Sequence, residues 1–121
     1  MKINVGVDIE NINRFNNLSL KKSSTFLKKI YASKEIDYCL AKKYPSKHFA
    51  ARFAAKEAVY KALQGMNNNN EKILYNEIEV IRKTSGAPEV KIKKKDFRNL
   101  KISISLSHSK NNAIAFAIIY E

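Results

Sequence analysis

The chain has 121 residues, which suits one domain with one core, and 45% of them are hydrophobic. This composition excludes a globally disordered chain, and no apolar run is long enough to span a bilayer. Lysine and arginine outnumber aspartate and glutamate by 23 to 11, a net charge of +12. The charge suits polyanionic partners, but a Lys-rich coding bias would produce it equally well. Cys39 is the single cysteine and the N-terminus lacks a signal-peptide pattern, so we expect a cytoplasmic protein without disulfides.

The first predicted element is a strand over residues 2–8, where apolar side chains alternate with polar or small ones. Such a pattern is typical of a half-buried strand, and it places Asp8 at the C-terminal end on the polar side. Its apolar side chains are Ile3, Val5 and Val7. A helix is predicted over residues 13–30, with one apolar and one basic face and a possible break at Ser23–Thr25.

Two further helices are predicted in the first half. One begins at Ser33 as N-cap, with Glu35 in its first turn, and ends near residue 42 or 43. The other has Pro45 in its first turn, runs to Gln64 and stops at Gly65. The polar run at residues 67–70 is predicted to be a loop.

The second half reads as strands. Alternating apolar residues predict strands around residues 78–80, 90–92 and 102–106, and a continuous apolar run predicts another at 113–120. Turn residues occupy 84–88 and 109–112. The sum is a single α+β domain over residues 1–121, with helices packed on a mostly antiparallel sheet.

The third helix carries the first candidate chemistry, because Glu57 and Lys61 are four residues apart and share a face. Together they could hold a metal ion and a phosphate, but the same spacing also makes an ordinary surface ion pair. Asp8 suits either a metal ligand or a turn residue that closes its strand. His108 suits either a donor to phosphate or a turn histidine bonded to backbone.

Magnesium needs few protein ligands, commonly one or two carboxylates beside the phosphate oxygens of a substrate. Asp8 and Glu57 would therefore suffice if the fold brought them together, which the sequence does not show. The chain has no zinc-ligand spacing, no glycine-rich phosphate loop and no nucleophile elbow.

Three segments gain meaning when they are read together: Gly6–Glu10, Arg52–Leu63, and Ile104–Ser109 with the apolar strand that follows. In order, separation and total length they resemble the holo-acyl-carrier-protein synthases, the short bacterial type of 4′-phosphopantetheinyl transferase. The central motif is the most specific of the three. One departure is the turn after the central helix, where the family usually has a Gly-Thr-Gly-like sequence and this chain has Gly65 and Met66.

The resemblance implies a 4′-phosphopantetheinyl transferase fold and roles for individual residues. Asp8 and Glu57 would ligate Mg²⁺, Lys61 would contact a phosphate of coenzyme A, and Arg52 and His108 would lie in or beside the cofactor site. A serine of apo acyl carrier protein would attack the β-phosphate, and adenosine 3′,5′-bisphosphate would leave. Either a carboxylate or a metal-bound water would take the serine proton.

The resemblance also implies partners: an acidic acyl carrier protein, such as that of fatty-acid synthesis, and two further copies of the chain in a homotrimer with active sites between subunits. Neither nucleic acid nor membrane is expected to bind. The basic first helix would be the docking surface, with contacts from Arg14, Lys21, Lys22 and Lys29. The alternatives are a basic nucleic-acid-binding module, which would need neither Asp8 nor Glu57, and an inactive homologue.

Overall fold

The computed structural model describes residues 2–66, 72–97 and 99–121. It contains a three-stranded antiparallel sheet in the order β1-β5-β4, formed by β1 (Ile3–Asn11), β4 (Lys101–His108) and β5 (Asn112–Tyr120). A separate hairpin pairs β2 (Ile78–Arg82) with β3 (Pro88–Ile92). With three α-helices, this confirms the predicted α+β class. The predicted loop at residues 67–70 lies outside the described residues.

Strand β1 reverses the expected burial. Its polar and small side chains, Asn4, Gly6, Asp8 and Glu10, face helix α3 (Pro45–Gln64), whereas its apolar side chains point away from that helix. We call the side of the sheet against α3 the inner face and the opposite side the outer face. The strand also runs three residues further than predicted, so Asp8 lies within it and not at its end.

The inner face accepts α3 closely because its central residues are small. In β5 the inward residues are Ala113, Ala115 and Ala117, all fully buried. In β1 a Cβ atom added to Gly6 would lie 1.9 Å from the Ala58 carbonyl oxygen, so no larger residue fits without moving the helix. Small residues at the contact thus set the distance between α3 and the sheet.

The predicted first helix is two elements. A 3-10 turn spans Ile12–Phe15, the chain adopts a positive φ of 64° at Asn17, and α1 (Leu20–Ile30) begins after Ser19, whose hydroxyl caps the Lys22 amide. The helix is kinked at Ser23, within the predicted break. Leu27 is its single buried residue; the partly buried Ile30 packs on the same cluster, and the Lys28 carbonyl oxygen accepts a hydrogen bond from Asn76.

Helices α2 (Ser33–Leu40) and α3 lie close to their predicted positions. The N-cap of α2 is Ala32 and not Ser33, because the Glu35 carboxylate accepts a hydrogen bond from the Ala32 amide at 2.9 Å. Helix α3 ends at Gln64 as predicted, although Gly65 keeps a right-handed conformation. The core consists of two hydrophobic clusters, and α3 contributes to both. One joins α3 to β2, β3 and β5, and the other joins it to the 3-10 turn Ile12–Phe15, α1 and α2.

A buried ion pair joins α2, α3 and the start of β2. Lys56 is fully buried, and its Nζ lies 2.6 Å from Glu35 Oε1. The same ammonium donates to the carbonyl oxygens of Tyr75 and Ile78, at 3.0 and 2.5 Å, and the second Glu35 oxygen accepts from the Val80 amide. Because every charge has partners, this pair fixes the 3-10 turn Tyr75–Glu77 against α3.

Candidate active site

The close contact between β1 and α3 brings the predicted site residues together. Lys61 Nζ lies 3.2 Å from Asp8 Oδ1 and donates to the Val7 carbonyl oxygen at 2.9 Å. The Asp8 side chain is 12% exposed, whereas that of Lys61 is 50% exposed. Lys61 therefore bridges the strand and the helix from the solvent side, and it presents a cation at the edge of a largely buried carboxylate.

Asp8 keeps one oxygen free for a ligand. Its Oδ2 atom is buried, and among the described residues it has no hydrogen-bond partner. Burial of an unpartnered carboxylate oxygen is costly, and a bound cation is one arrangement that removes the cost. Asp8 is thus suited to bind a positive group from within the fold.

Glu57 lies one turn before Lys61 on α3 and is held by Tyr75, whose hydroxyl donates to Glu57 Oε1. Burial, this hydrogen bond and the charges of Glu57 and Asp8 keep the pKa of Tyr75 above its ordinary value. The phenol therefore stays protonated and remains a donor. Because Lys61 contacts Asp8 and Glu57 lies one turn away from Lys61 on the same helix, Asp8 and Glu57 share one region.

Glu10 is a third carboxyl group at this place. Burial and the neighbouring Asp8 carboxylate raise the pKa of Glu10 to about 7, and the Glu57 charge contributes in the same direction. The Arg14 guanidinium opposes this shift from 2.9 Å. Glu10 belongs to the Gly6–Glu10 motif, but the sequence reasoning gave it no role.

The candidate metal ligands, Asp8 and Glu57, form an open site and not a closed cage. Over residues 2–66, 72–97 and 99–121, no three His, Cys, Asp or Glu side chains are arranged as a metal-ligand group. Asp8 and Glu57 could supply hard oxygen ligands, and the Asp8 Oδ2 atom is without a hydrogen-bond partner among the described residues. This pattern suits Mg²⁺, which commonly keeps several waters and completes its shell with substrate phosphate.

Arg52 lies on another side of α3, away from this cluster. It is 5% exposed, its guanidinium stacks 4.2 Å above the Tyr38 ring, and its Nε atom has no hydrogen-bond partner in the part of the chain that is described. It lines a pocket of about 230 Å³ together with Glu79 and Arg82. Within one copy of the chain, Arg52 therefore does not meet Asp8 and Glu57.

His108 ends β4 and is exposed beside an open cleft of about 570 Å³. In the sheet register His108 is opposite Ala113, which is opposite Glu10, so one strand separates the histidine from the carboxylates. Two strand spacings amount to about 10 Å. Lys47 and Lys110 line the same cleft, which makes it a place where an anion would be attracted.

The predicted docking residues fall into two groups. Lys21, Lys22 and Lys29 are exposed on α1, as expected for a contact surface. Arg14 belongs to the 3-10 turn and not to the helix, and it is paired with Glu10. Arg14 therefore belongs with the carboxylates and not with the exposed lysines of α1.

A family model described as the 4′-phosphopantetheinyl transferase superfamily matches residues 4–117. The chain belongs to the 4′-phosphopantetheinyl transferase superfamily. It is similar to a holo-acyl-carrier-protein synthase of Thermodesulfovibrio yellowstonii, 43% identical over 95% of this chain and 96% of that one. The corresponding protein of Clostridium tetani is 39% identical over 98% and 96%. This membership confirms the family that the three motifs indicated.

The fold agrees with a solved member of the transferase family. The structure of Helicobacter pylori holo-acyl-carrier-protein synthase in complex with coenzyme A superposes with a TM-score of 0.79, at 28% identity, covering 96% of this chain and 99% of that one. The transferase fold predicted from the sequence is therefore confirmed. Among the described residues, no helix has the length and apolar character needed to cross a membrane.

Proposed function

We propose that this protein transfers the 4′-phosphopantetheine group of coenzyme A to a serine of apo acyl carrier protein. The observation that carries the proposal is the meeting of Asp8, Glu57 and Lys61 at one place, in a chain that belongs to the transferase superfamily. The serine oxygen would form a bond to the β-phosphorus while the bond to the bridging oxygen breaks. Holo-carrier protein and adenosine 3′,5′-bisphosphate are the products.

Lys61 and the two carboxylates would have different electrostatic roles, one toward a phosphate and the other toward the metal ion. Negative charge would grow on the bridging oxygen as it leaves, and the half-exposed Lys61 ammonium would neutralise a phosphate at the mouth of the site. Asp8 and Glu57 would hold Mg²⁺, using the free Asp8 oxygen and the Glu57 carboxylate oriented by Tyr75. When bound, the ion would supply charge neutralisation and orientation for the pyrophosphate.

The separation of Arg52 and His108 from this cluster supports a site shared between copies of the chain. The outer face carries a continuous apolar strip, and its β1 side chains are 50–61% exposed. The strip comprises Ile3, Val5, Val7 and Ile9 of β1 and Ile114 and Phe116 of β5. Such a strip is typical of an interaction surface, and we propose that it assembles the chain into a homotrimer. His108 and Arg52 would then bind coenzyme A in a site completed by a neighbouring subunit.

The carrier protein would dock on α1. Lys21, Lys22 and Lys29 project from a helix whose exposed side also includes Phe26, so a cationic surface surrounds an apolar contact. Such a surface suits an acidic partner, because complementary charge raises the association rate and fixes orientation. Arg14, which is paired with Glu10, would add a cationic contact for the carrier beside the carboxylates.

Docking can be separated from chemistry by charge reversal. The double variant Lys21→Glu/Lys22→Glu should raise the KM for carrier protein at low salt and leave the KM for coenzyme A unchanged. A matched variant, Lys83→Glu/Lys91→Glu, reverses two exposed lysines near the β2–β3 hairpin and should change neither. An unchanged carrier KM in the first variant would remove α1 as the docking surface.

A cytoplasmic location also belongs to this proposal. Cys39 is a buried free thiol, and burial raises its pKa to about 12. A fold that uses its thiol as a packed side chain has no need of an oxidising compartment.

Carriers of fatty-acid synthesis are the proposed substrates.

Intact mass spectrometry of the carrier tests the reaction directly. The protein is incubated with apo acyl carrier protein, coenzyme A and Mg²⁺, alongside reactions with EDTA and with the Glu57→Ala variant. A gain of one phosphopantetheine that both controls abolish is expected. No gain with several carrier proteins, at protein concentrations that keep the assembly intact, would contradict the proposed activity. Salt-steep binding to random RNA without affinity for coenzyme A would favour a nucleic-acid-binding module instead.

A further inference from the structure

Tyr75 holds Glu57 from outside α3. Its hydroxyl donates to Glu57 Oε1, and this is the one hydrogen bond that Glu57 makes with a side chain among the described residues. Neither residue is fully exposed. Because one carboxylate oxygen is engaged, the other is the oxygen left for a cation. Tyr75 lies outside the three motifs that define the family resemblance.

The Tyr75 ring is clamped by two aromatic residues that flank Glu57 on α3. Phe53, four residues before Glu57, meets the ring edge-to-face with centroids 5.9 Å apart. Tyr60, three residues after it, does so at 5.7 Å. Side chains at these spacings share a helix face, so the clamp and the carboxylate lie on the same surface. The ring therefore has little freedom to swing away from Glu57.

The Tyr75 backbone is fixed as well. Lys56 donates to the Tyr75 carbonyl oxygen at 3.0 Å, and Lys56 itself is fully buried and paired with Glu35 at 2.6 Å. Lys56 and Glu57 are neighbours in sequence. Helix α3 thus holds Tyr75 by its backbone through one residue and receives its hydroxyl on the next.

We propose that Tyr75 is a positioning residue that fixes the Glu57 carboxylate in the orientation required to bind the divalent metal. The inference rests on the proposed function, because it assumes that Glu57 is a metal ligand. Hydrogen bonds from a second layer of side chains orient metal ligands, and their loss typically weakens metal affinity or activity by about 10–100-fold. Tyr75 would act through Glu57 and would not touch the substrate.

The variant Tyr75→Phe tests the role of the hydroxyl, because it keeps the ring between Phe53 and Tyr60. Tyr60→Phe is the matched control: it removes a hydroxyl from the same aromatic cluster, and this hydroxyl has no hydrogen-bond partner in the described part of the chain. Binding of Mn²⁺ is measured by calorimetry in the presence of coenzyme A. The Mg²⁺ dependence of transfer, the KM for carrier protein and the thermal midpoint are measured in parallel.

We expect Tyr75→Phe to weaken Mn²⁺ binding about tenfold or more and to raise the Mg²⁺ concentration for half-maximal rate similarly. The KM for carrier protein and the thermal midpoint should stay as in the unmodified protein. Tyr60→Phe should bind Mn²⁺ within about twofold of it. Unchanged or tighter Mn²⁺ binding in Tyr75→Phe, or equal weakening in both variants, would overturn the inference while leaving the proposed function intact. If the unmodified protein neither bound Mn²⁺ nor transferred phosphopantetheine, the proposed function would fail first.

Discussion

The two faces of the three-stranded sheet differ in an unusual way. The inner face carries glycine, alanine and carboxylates in its β1 and β5 strands, yet it is the buried one. The outer face carries isoleucine, valine and phenylalanine, and much of it is exposed. The inner face therefore permits close helix contact and carries the candidate site, whereas no element among the described residues covers the apolar side chains of the outer face. The difference teaches that side-chain size, and not polarity alone, decided which face α3 covers.

The largest difference in transfer rate is expected between substitutions of two adjacent residues of β1 whose side chains point to opposite faces of the sheet. Asp8→Asn keeps the size of an inner-face ligand but removes its charge, and should lower the transfer rate at least about 100-fold. Val7→Thr, its neighbour on the outer face, should change the rate per assembled protein by less than about threefold, because its side chain points away from the site. Initial rates at saturating Mg²⁺ make the comparison. Equal losses in both variants would mean that the site is not confined to the inner face.

The variant Gly6→Ala tests how closely α3 packs against the inner face. The new methyl group would meet the Ala58 carbonyl oxygen, which is backbone and can only move with the helix. We expect a loss of about 2 kcal/mol or more in the free energy of unfolding, measured by urea denaturation. Gly65→Ala is the matched control, because the atom nearest to the added methyl group would be Oδ1 of Asn4, which belongs to a side chain that can move. A Gly6→Ala variant as stable as Gly65→Ala would show that α3 can move away from the sheet without a loss in the free energy of unfolding.

The outer face is tested by Phe116→Lys, which places a charge in the apolar strip. If this face assembles the chain, the variant should dissociate at least about tenfold more readily, since burying an unpaired ammonium is unfavourable. Sedimentation velocity over a concentration series would measure the change. Thr25→Lys, an exposed position on α1, is the control and should leave assembly unchanged. A single sedimenting species that Phe116→Lys does not alter would exclude this face as the interface.

A smaller effect is expected where α3 meets α2, at His48, which packs against Tyr38; burial and then the charge of Arg52 lower the pKa of His48 to about 4. In the unfolded chain the His48 imidazole takes up a proton near pH 6.5, whereas in the folded chain it does so only near pH 4. The contribution of His48 is therefore fully present above about pH 6.5 and is lost as the pH falls towards 4. His48→Gln should flatten the decline of the thermal midpoint over this interval. A decline as steep as in the unmodified protein would assign it to other groups.

Much of the chain was predictable from local patterns. Helix α3, the hairpin turn with Gly86 at a φ of 91°, and the alternation in β4 all followed from features that act within a few residues. The burial of β1 did not, because an alternating pattern shows two faces but does not say which one a helix will cover. The clue was available in Gly6, whose lack of a side chain permits close helix contact.

The candidate site was predictable in part. Asp8, Glu57 and Lys61 came from motifs, and the structure brings them together. Tyr75 could not be found in this way, because it reaches Glu57 only after a turn that Lys56 fixes through long-range hydrogen bonds. The separation of Arg52 and His108 from the carboxylates is equally a property of the folded chain.

The alternation of β1 has a consequence for how this protein can change over evolution. Successive residues of one nine-residue strand alternate between the carboxylate site and the exposed apolar strip. Inserting or deleting one residue would exchange the two sets over the rest of the strand, placing Val7 or Ile9 against α3 and the carboxylates on the outer face. A substitution in β1 changes one face alone, whereas an insertion or deletion within the strand changes both faces together. We therefore expect homologues to vary in length in the connections around β1 and not within it.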